Sequence, residues 1–371
     1  MITKKDECLV DIRNNSSVNM SNWQITHTVD TLTTVNNKFD VLDKINVLIN
    51  QGIDKSNIFV TDKSFLISTN YKTYFENGSI INNDGPAIVK AANIGKIITM
   101  DYNAEISKIN ALFEYYKKVS SLVAKNHRCR LRSSFLGEAY EALSYCDINE
   151  ACEILRDGAI EQVTEIYDRH INPDYQKRDA LLQKIVGMYE KELPKIVKKN
   201  EESAMKCRKK FEYCFERFDR PIVGIYYPER RMFEIINADQ MYKNGEESAN
   251  RIKLRSISKN SPVVITLAVT GVMLATIVYL AYREHTVDAQ DMVDNMADVP
   301  QTSSEAIRNI LSSESGNMVS VETEQTAVDP FVESLAVKNM AKLERVTDKS
   351  RVRVEVHSPV ETEVHVQFKE K

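Results

Sequence analysis

Hydrophobic positions along this chain change period several times. Over residues 39–50 they fall at Val41, Leu42, Ile45, Leu48 and Ile49, the one-face spacing of an amphipathic helix, and Gly52 supplies a stop. Short apolar runs then alternate with turn residues at 57–60, 65–68, 73–75, 79–81 and 96–100. Asn77-Gly78 is the strongest local hairpin signal, because both residues accept positive φ. Residues 1–100 therefore read as a small α/β meander region with one or two helices against one face.

The period lengthens over residues 101–219, which read as a helical bundle. Tyr102, Ile106, Ile109, Phe113, Tyr116, Ser120 and Val123 recur at spacings of three and four. Ser134 is placed to cap a helix through Tyr145. Asp147 and Glu150 resemble a capping box for a helix over 148–156, which Gly158 would end. A further helix over 178–193 should break or kink at Pro194. Ala204, Cys207, Phe211, Cys214 and Phe218 mark the seam of the last one. Residues 220–260 return to a β-hairpin, 221–227 and 232–237 around the turn 228–231, followed by a basic segment.

Residues 261–282 hold twenty-two positions without a charge, enough for a helix of about 33 Å, the thickness of a bilayer core. This stretch predicts one transmembrane helix. Beyond it, residues 283–328 form an acidic, aromatic-poor flexible spacer. Residues 329–371 predict a helix plus β-hairpin module. Asp329 caps the helix, Pro330 takes its first position, and Val332, Leu335, Ala336, Met340, Leu343 and Val346 form its apolar face. The hairpin alternates strictly, with Val352, Val354 and Val356 answered by Val364, Val366 and Phe368. The fold class expected is an α+β membrane protein: a small α/β N-terminal region, a helical bundle, one transmembrane helix and a C-terminal helix plus β-hairpin.

Charge gives that helix a direction. The net charge is −4, but residues 284–337 hold eleven acids against one base, Arg308. Arg251, Lys253, Arg255 and Lys259 precede the apolar run, and basic flanks stay on the cytoplasmic side. The expected location is single-pass in a membrane, N-terminus cytoplasmic and C-terminus lumenal or extracellular. All six cysteines precede the run, in keeping with a reducing compartment. Four N-x-S triplets, at Asn14, Asn15, Asn19 and Asn77, point the other way, though asparagine is abundant enough to produce them by chance. The four basic residues, with Tyr279 and Tyr282 as interfacial aromatics, are the expected lipid contacts. Ala268, Gly271 and Ala275 form a small-residue stripe that would allow a helix–helix contact and a homodimer.

Recognisable chemistry is sparse. No phosphate loop, dinucleotide fingerprint, HExxH or G-x-S-x-G occurs, and the cysteine spacings are too wide for zinc pairs. No catalytic, cofactor-binding or metal-ligating residue is expected. Two basic clusters stand out: Lys117, Lys118, Lys125, Arg128, Arg130 and Arg132, then Lys195, Lys198, Lys199, Lys206, Arg208, Lys209 and Lys210. Glutamates interrupt the second, so solvated helix faces explain them better than lipid contact, and lipid contact better than nucleic acid; no specific nucleic-acid partner is expected. Asn172-Pro173-Asp174-Tyr175 matches a short sorting motif but equally a helix start. The reading is a membrane-anchored interaction or assembly protein that tethers protein partners on both sides of a bilayer. The valines and Phe368 of the terminal hairpin would be its partner-binding edge. An Asn- and Lys-rich chain with this layout suits a viral structural or envelope component. A membrane signalling or sorting adaptor is the alternative, and an enzyme with its site in residues 1–250 comes last.

Overall fold

The computed structural model describes residues 8–14, 21–64, 80–81, 85–127, 129–169, 174–238, 253–258, 264–269, 328–350 and 352–357. In chain order the first elements are β1 (Cys8–Asn14), α1 (Asn22–Asn50), β2 (Ile58–Ser64), β3 (Ile80–Ile81), α2 (Gly85–Asn93), β4 (Ile97–Thr99), α3 (Ala104–His127) and α4 (Ser133–Ala142). There follow α5 (Ile148–Asp168), α6 (Tyr175–Ala204), α7 (Cys207–Arg217), β5 (Pro221–Tyr227), β6 (Met232–Ile235), β7 (Lys253–Ser258), β8 (Val264–Val269), α8 (Pro330–Ser350) and β9 (Val352–His357). The described part is mostly helical, with two antiparallel sheets. The chain divides into two compact units, one of residues 1–52 with 244–371 and one of residues 53–243.

In the first unit the four strands run in the order β7-β8-β1-β9, all antiparallel. This arrangement corrects the membrane reading. Val264–Val269, the front of the predicted transmembrane helix, is a strand whose Thr266 pairs with Asp11 of β1 and Ser256 of β7. Among the described residues no helix is long and apolar enough to cross a membrane. The α+β membrane class and the single-pass location, N-terminus cytoplasmic and C-terminus lumenal, therefore lose their basis. The physical reason lies in the run itself. Val264, Ile265, Thr266 and Val269 are β-branched, stiff at χ1 and favoured on a pleated surface. Ala268 lies opposite Leu9 and Lys253 in this ladder, so the helical spacing assumed for Ala268, Gly271 and Ala275 does not apply at its first member. Gly271, Ala275, Tyr279 and Tyr282 lie outside the described residues.

The same unit contains a helix pair. Ser21 caps α1 with a reciprocal box: its hydroxyl accepts from Gln24 N at 3.2 Å and its N–H donates to Gln24 Oε1 at 2.8 Å. Thr26, Thr28, Thr31 and Thr33 each bond the carbonyl four residues back, which accommodates a threonine-rich helix start. Gly52, at φ +88°, lies just past the end of α1. α1 buries Leu32, Val35, Phe39 and Leu42 and packs on α8, which buries Val332, Leu335, Ala336, Met340 and Leu343. Asp329 caps α8 through Phe331 N at 3.0 Å, and its own N–H donates to Asn46 Oδ1 at 3.2 Å. β9 pairs with β1, Val354 opposite Ile12, where a local hairpin partner had been expected. Val364, Val366 and Phe368 lie outside the described residues.

The second unit sets α2–α7 with a five-stranded sheet of order β3-β6-β5-β2-β4. β5 is central and buried along nearly its whole length, as its apolar composition demands. Gly224 is required there: a Cβ would stand 2.3 Å from the Glu234 carbonyl oxygen and 2.6 Å from the Phe59 ring. Neither the stop expected at Gly158 nor a break at Pro194 occurs. Gly158 lies inside α5, where a Cβ would meet the Phe135 ring at 2.5 Å, so this glycine serves close packing. Pro194 lies inside α6 on an exposed face, where water can bond the carbonyl its missing N–H leaves free. Asp147 does cap α5, accepting from Asn149 N at 2.7 Å and Glu150 N at 2.9 Å.

Candidate functional site

A narrow cleft opens in the second unit between β4, the start of α3, the end of α6 and the start of α7. Its walls are fixed by asparagines. Asn103 caps α3 by accepting from Ile106 N at 3.0 Å, while its Nδ2 donates to the Ser56 carbonyl at 3.0 Å. Two turns on, Asn110 clamps the edge strand: its Oδ1 accepts from Ile97 N at 3.0 Å and its Nδ2 donates to Ile97 O at 2.7 Å. The start of α7 is held by Arg208, which donates to Asp101 Oδ1 at 2.7 Å. The space inside it is about 10 Å³, room for roughly one water molecule.

Asn200 of α6 lines the cleft and is only 2 % exposed. Its Nδ2 donates to the Ile196 carbonyl at 2.9 Å and to Glu114 Oε2 at 3.2 Å. Both partners only accept, so turning the amide would lose both bonds. Its Oδ1 is buried with no hydrogen-bond partner among the described residues. A buried, unmatched acceptor costs free energy, and a site that keeps one is suited to a ligand or water that donates.

Charge gathers around this point. The packing of α3 on α6 brings Glu114 and Lys118 beside Glu192, Lys195 and Lys199. Lys199 bridges to Glu114 at 2.9 Å, Lys118 to Glu192 at 3.4 Å, and Lys195 to Glu192 at 2.9 Å. Half-buried Lys96, in the cleft wall, has its pKa lowered, first by burial and then by the charge of Lys210; Lys199 adds to this, while Glu114 and Asp62 oppose it. Glu114 is pushed up by burial, but its bonds from Lys199 and Asn200 outweigh that and hold it below its ordinary value. Lys210 donates to Ser203 Oγ at 2.6 Å. Arg132, by contrast, pairs with Glu161 and Glu165 on α5.

Two large apolar side chains close in sequence to the cleft residues are exposed, Met205 at the end of α6 (76 %) and Tyr102 before α3 (51 %), although neither lines the cleft.

A second polar cluster surrounds Arg231 and Tyr140. Arg231, at φ +50°, is the one non-glycine residue with positive φ among the described residues. Its guanidinium lies 4.5 Å from the centre of the Tyr140 ring and donates to the Tyr140 carbonyl at 2.6 Å; Tyr140 Oη donates back to the Arg231 carbonyl at 3.0 Å. Tyr226 Oη donates to Glu105 at 2.7 Å. Burial pushes the Tyr140 phenol up to about 12, so it is neutral at physiological pH.

The positions expected to contact lipid or a partner fall elsewhere. Lys253 and Arg255 belong to β7 and Val352, Val354 and Val356 to β9, while Arg251 and Lys259 lie outside the described residues. Cys207 and Cys214 are buried in the core, and burial pushes both thiols up. Tyr175 starts α6 with the Arg178 guanidinium 4.7 Å from its ring centre. Among the described residues no group of three or more His, Cys, Asp or Glu is placed to hold a metal ion. The asparagines of the cleft escaped sequence reasoning, although each stands in an apolar helical period, Asn110 beside Ile106, Ile109 and Phe113 and Asn200 beside Ile196. No family model, curated protein or solved structure matches this chain.

Proposed function

We propose that this chain is a non-enzymatic interaction or assembly protein and that the mouth of the α6–α7 cleft is where it takes a partner protein's acidic segment. The observation that supports the reading is the exposure of Tyr102 and Met205, which adjoin in sequence the Asp101–Arg208 pair and the lysines of α6 and α7. Aromatic residues, methionine and arginine are enriched at protein interfaces, and a small apolar centre inside a charged rim is the usual layout. The lysines would speed encounter and select sign, and the two apolar side chains would supply buried area.

The test uses the full chain and short fluorescent peptides that share one leucine and differ in net charge. Peptides of negative charge should bind most tightly, with affinity falling as salt rises. Lys210→Glu should weaken them by about tenfold, in the range of 1–2 kcal/mol for loss and reversal of one partly exposed charge. Met205→Ala should slow association little and speed dissociation. Equal binding of acidic, neutral and basic peptides would refute the proposal.

A further inference from the structure

We infer that a strip of five lysines on the second unit, Lys63, Lys96, Lys117, Lys199 and Lys210, receives a run of consecutive acidic residues from a partner protein. The inference rests on the interaction reading above; it names what the partner segment carries and where that charge is met.

Hydrogen bonds and one ion pair bring the five together. β2 and the residue before β4 are tied twice. Asp62 N donates to the Lys96 carbonyl at 3.1 Å, and Lys96 N donates to Asp62 Oδ1 at 2.7 Å. Lys63 follows Asp62 and donates from Nζ to the Asn93 carbonyl at 3.0 Å, so it lies at the Lys96 end of the β2–β4 pair. Asn110 grips Ile97, the neighbour of Lys96, and Glu114 and Lys117 follow on the same face of α3 at spacings of four and three. Lys199 of α6 meets Glu114 at 2.9 Å. Lys210 of α7 donates to Ser203 Oγ at 2.6 Å, one turn along α6 from Lys199.

The charge of this strip does not balance. Five lysines stand around two carboxylates, Asp62 and Glu114. Among the described residues Lys199 alone of the five makes an ion pair, while Lys63 and Lys210 donate to neutral oxygens. Lys96 and Lys117 both have their pKa lowered, by desolvation first and next by a neighbouring lysine, Lys210 for the one and Lys63 for the other. The chain as a whole carries −4, so this excess is not a sample of a generally basic surface. Cations gathered and partly dehydrated without matching anions cost stability, and an anion laid across them recovers it. Fold stability alone would match them with acids, as Glu192 matches Lys118 and Lys195.

The kind of cation selects the kind of anion. Those that act on Lys96 and Lys117 are all lysines. Arginine, whose planar fork suits phosphate, is not among them. Two carboxylates also stand within the strip. That mixture suits carboxylates spaced along a peptide better than the dense charge of a nucleic-acid backbone. The excess of positive charge calls for a run of acids rather than one acid beside an apolar anchor.

The experiment is fluorescence anisotropy of the full chain with labelled peptides of equal length, sharing one leucine and carrying none, three or six glutamates in a run. Affinity should rise at each step and fall as salt rises. Lys63→Gln and Lys117→Gln should each weaken the six-glutamate peptide by about two- to fivefold, the effect of one partly exposed ion pair. Both positions are exposed, and should one variant fail to fold, the other decides. Lys184→Gln, at an exposed lysine of α6 about four turns before Lys199, should change nothing. Unchanged binding in both Lys63→Gln and Lys117→Gln would overturn the inference, and so would an equal loss in Lys184→Gln. In either case the interaction reading stands if Met205→Ala still weakens the peptides. Loss in the strip variants with no effect of Met205→Ala supports the strip and removes the apolar centre of that reading. A single-stranded oligonucleotide of matched charge that binds more tightly than the six-glutamate peptide, through the same lysines, would overturn the assignment to a protein segment.

Discussion

Arg231 offers a direct test of how the second unit is held together, because its side chain and its backbone pull in opposite directions. It closes the turn between β5 and β6, where its N–H donates to the Pro228 carbonyl at 3.2 Å, and it does so in the left-handed region at φ +50°. A non-glycine residue there costs about 1–2 kcal/mol. The side chain, 12 % exposed, returns more than that. A charged hydrogen bond to the Tyr140 carbonyl contributes roughly 1.5–3 kcal/mol, and the stacking on the Tyr140 ring roughly 1–2 kcal/mol. The Glu105 pair, at 3.9 Å and partly solvated, adds little. The buried Nε has no hydrogen-bond partner among the described residues, which subtracts about 1 kcal/mol. Arg231→Ala keeps the backbone cost and loses the contacts, so it should destabilise by about 2–3 kcal/mol. Arg231→Gly loses the same contacts but relieves the backbone, so it should recover about 1 kcal/mol of that loss. The single tryptophan, Trp23, belongs to the other unit, so tryptophan fluorescence is the wrong probe. Hydrogen exchange of the full chain, read by mass spectrometry on the peptides of β5, β6 and α4, reports the affected region. Glycine exchanging as fast as alanine would refute the strain argument. No change in either variant would refute the claim that the Tyr140 contacts hold the hairpin.

Three further outcomes are expected. Gly224→Ala forces a Cβ to within 2.3 Å of the Glu234 carbonyl oxygen and should cost about 2–3 kcal/mol or more in thermal unfolding followed by circular dichroism, whereas an unchanged midpoint would contradict the β5–β6 register. Glu114 titrates below its ordinary 4.5 in the folded chain, so its contribution is complete above pH 4.5 and lost as pH falls through the folded value; Glu114→Gln should flatten that part of a urea-midpoint profile between pH 6 and 3, and a parallel profile would show that its bonds to Lys199 and Asn200 carry no weight. Asp329→Ala removes the cap of α8 and should destabilise the α1–α8 pair by about 1 kcal/mol, with Asp329→Asn retaining most of the stability, read as exchange of the first-turn amides of α8.

Local features of this chain were legible where cause and effect lie within one helical turn. Asp147 and Asp329 cap the helices they precede, since the bond is made to the second or third residue along. The seam through Cys207, Phe211 and Cys214 is buried as its spacing implied, and so are Leu335 and Met340 of α8. The cleft was not legible. Asn110 and Asn200 read as interruptions of apolar faces, and only the approach of β4, α3 and α7 shows that one clamps a strand edge while the other keeps an open acceptor. Gly158 and Pro194 looked like stops because propensity treats them as breakers. A packed Phe135 ring and a solvated helix face allow both to stay inside their helices.

By itself the sequence determined composition, charge balance, the caps at Asp147 and Asp329 and the amphipathic period of most helices, because each depends on residues a few positions apart; the cap expected at Ser134 is not made, since α4 starts at Ser133 with Arg132 in the cap position and no side-chain bond there. Only the tertiary structure decided the state of the apolar run after residue 260. Hydrophobicity says that Val264–Val269 must leave water; it does not say whether lipid, a helical core or neighbouring strands will receive it. Here its neighbours are β1, more than two hundred residues earlier, and β7, a few residues before it. A ladder is satisfied by whichever strand supplies the matching N–H and C=O groups, and nothing within a local window of sequence records how far away that strand lies.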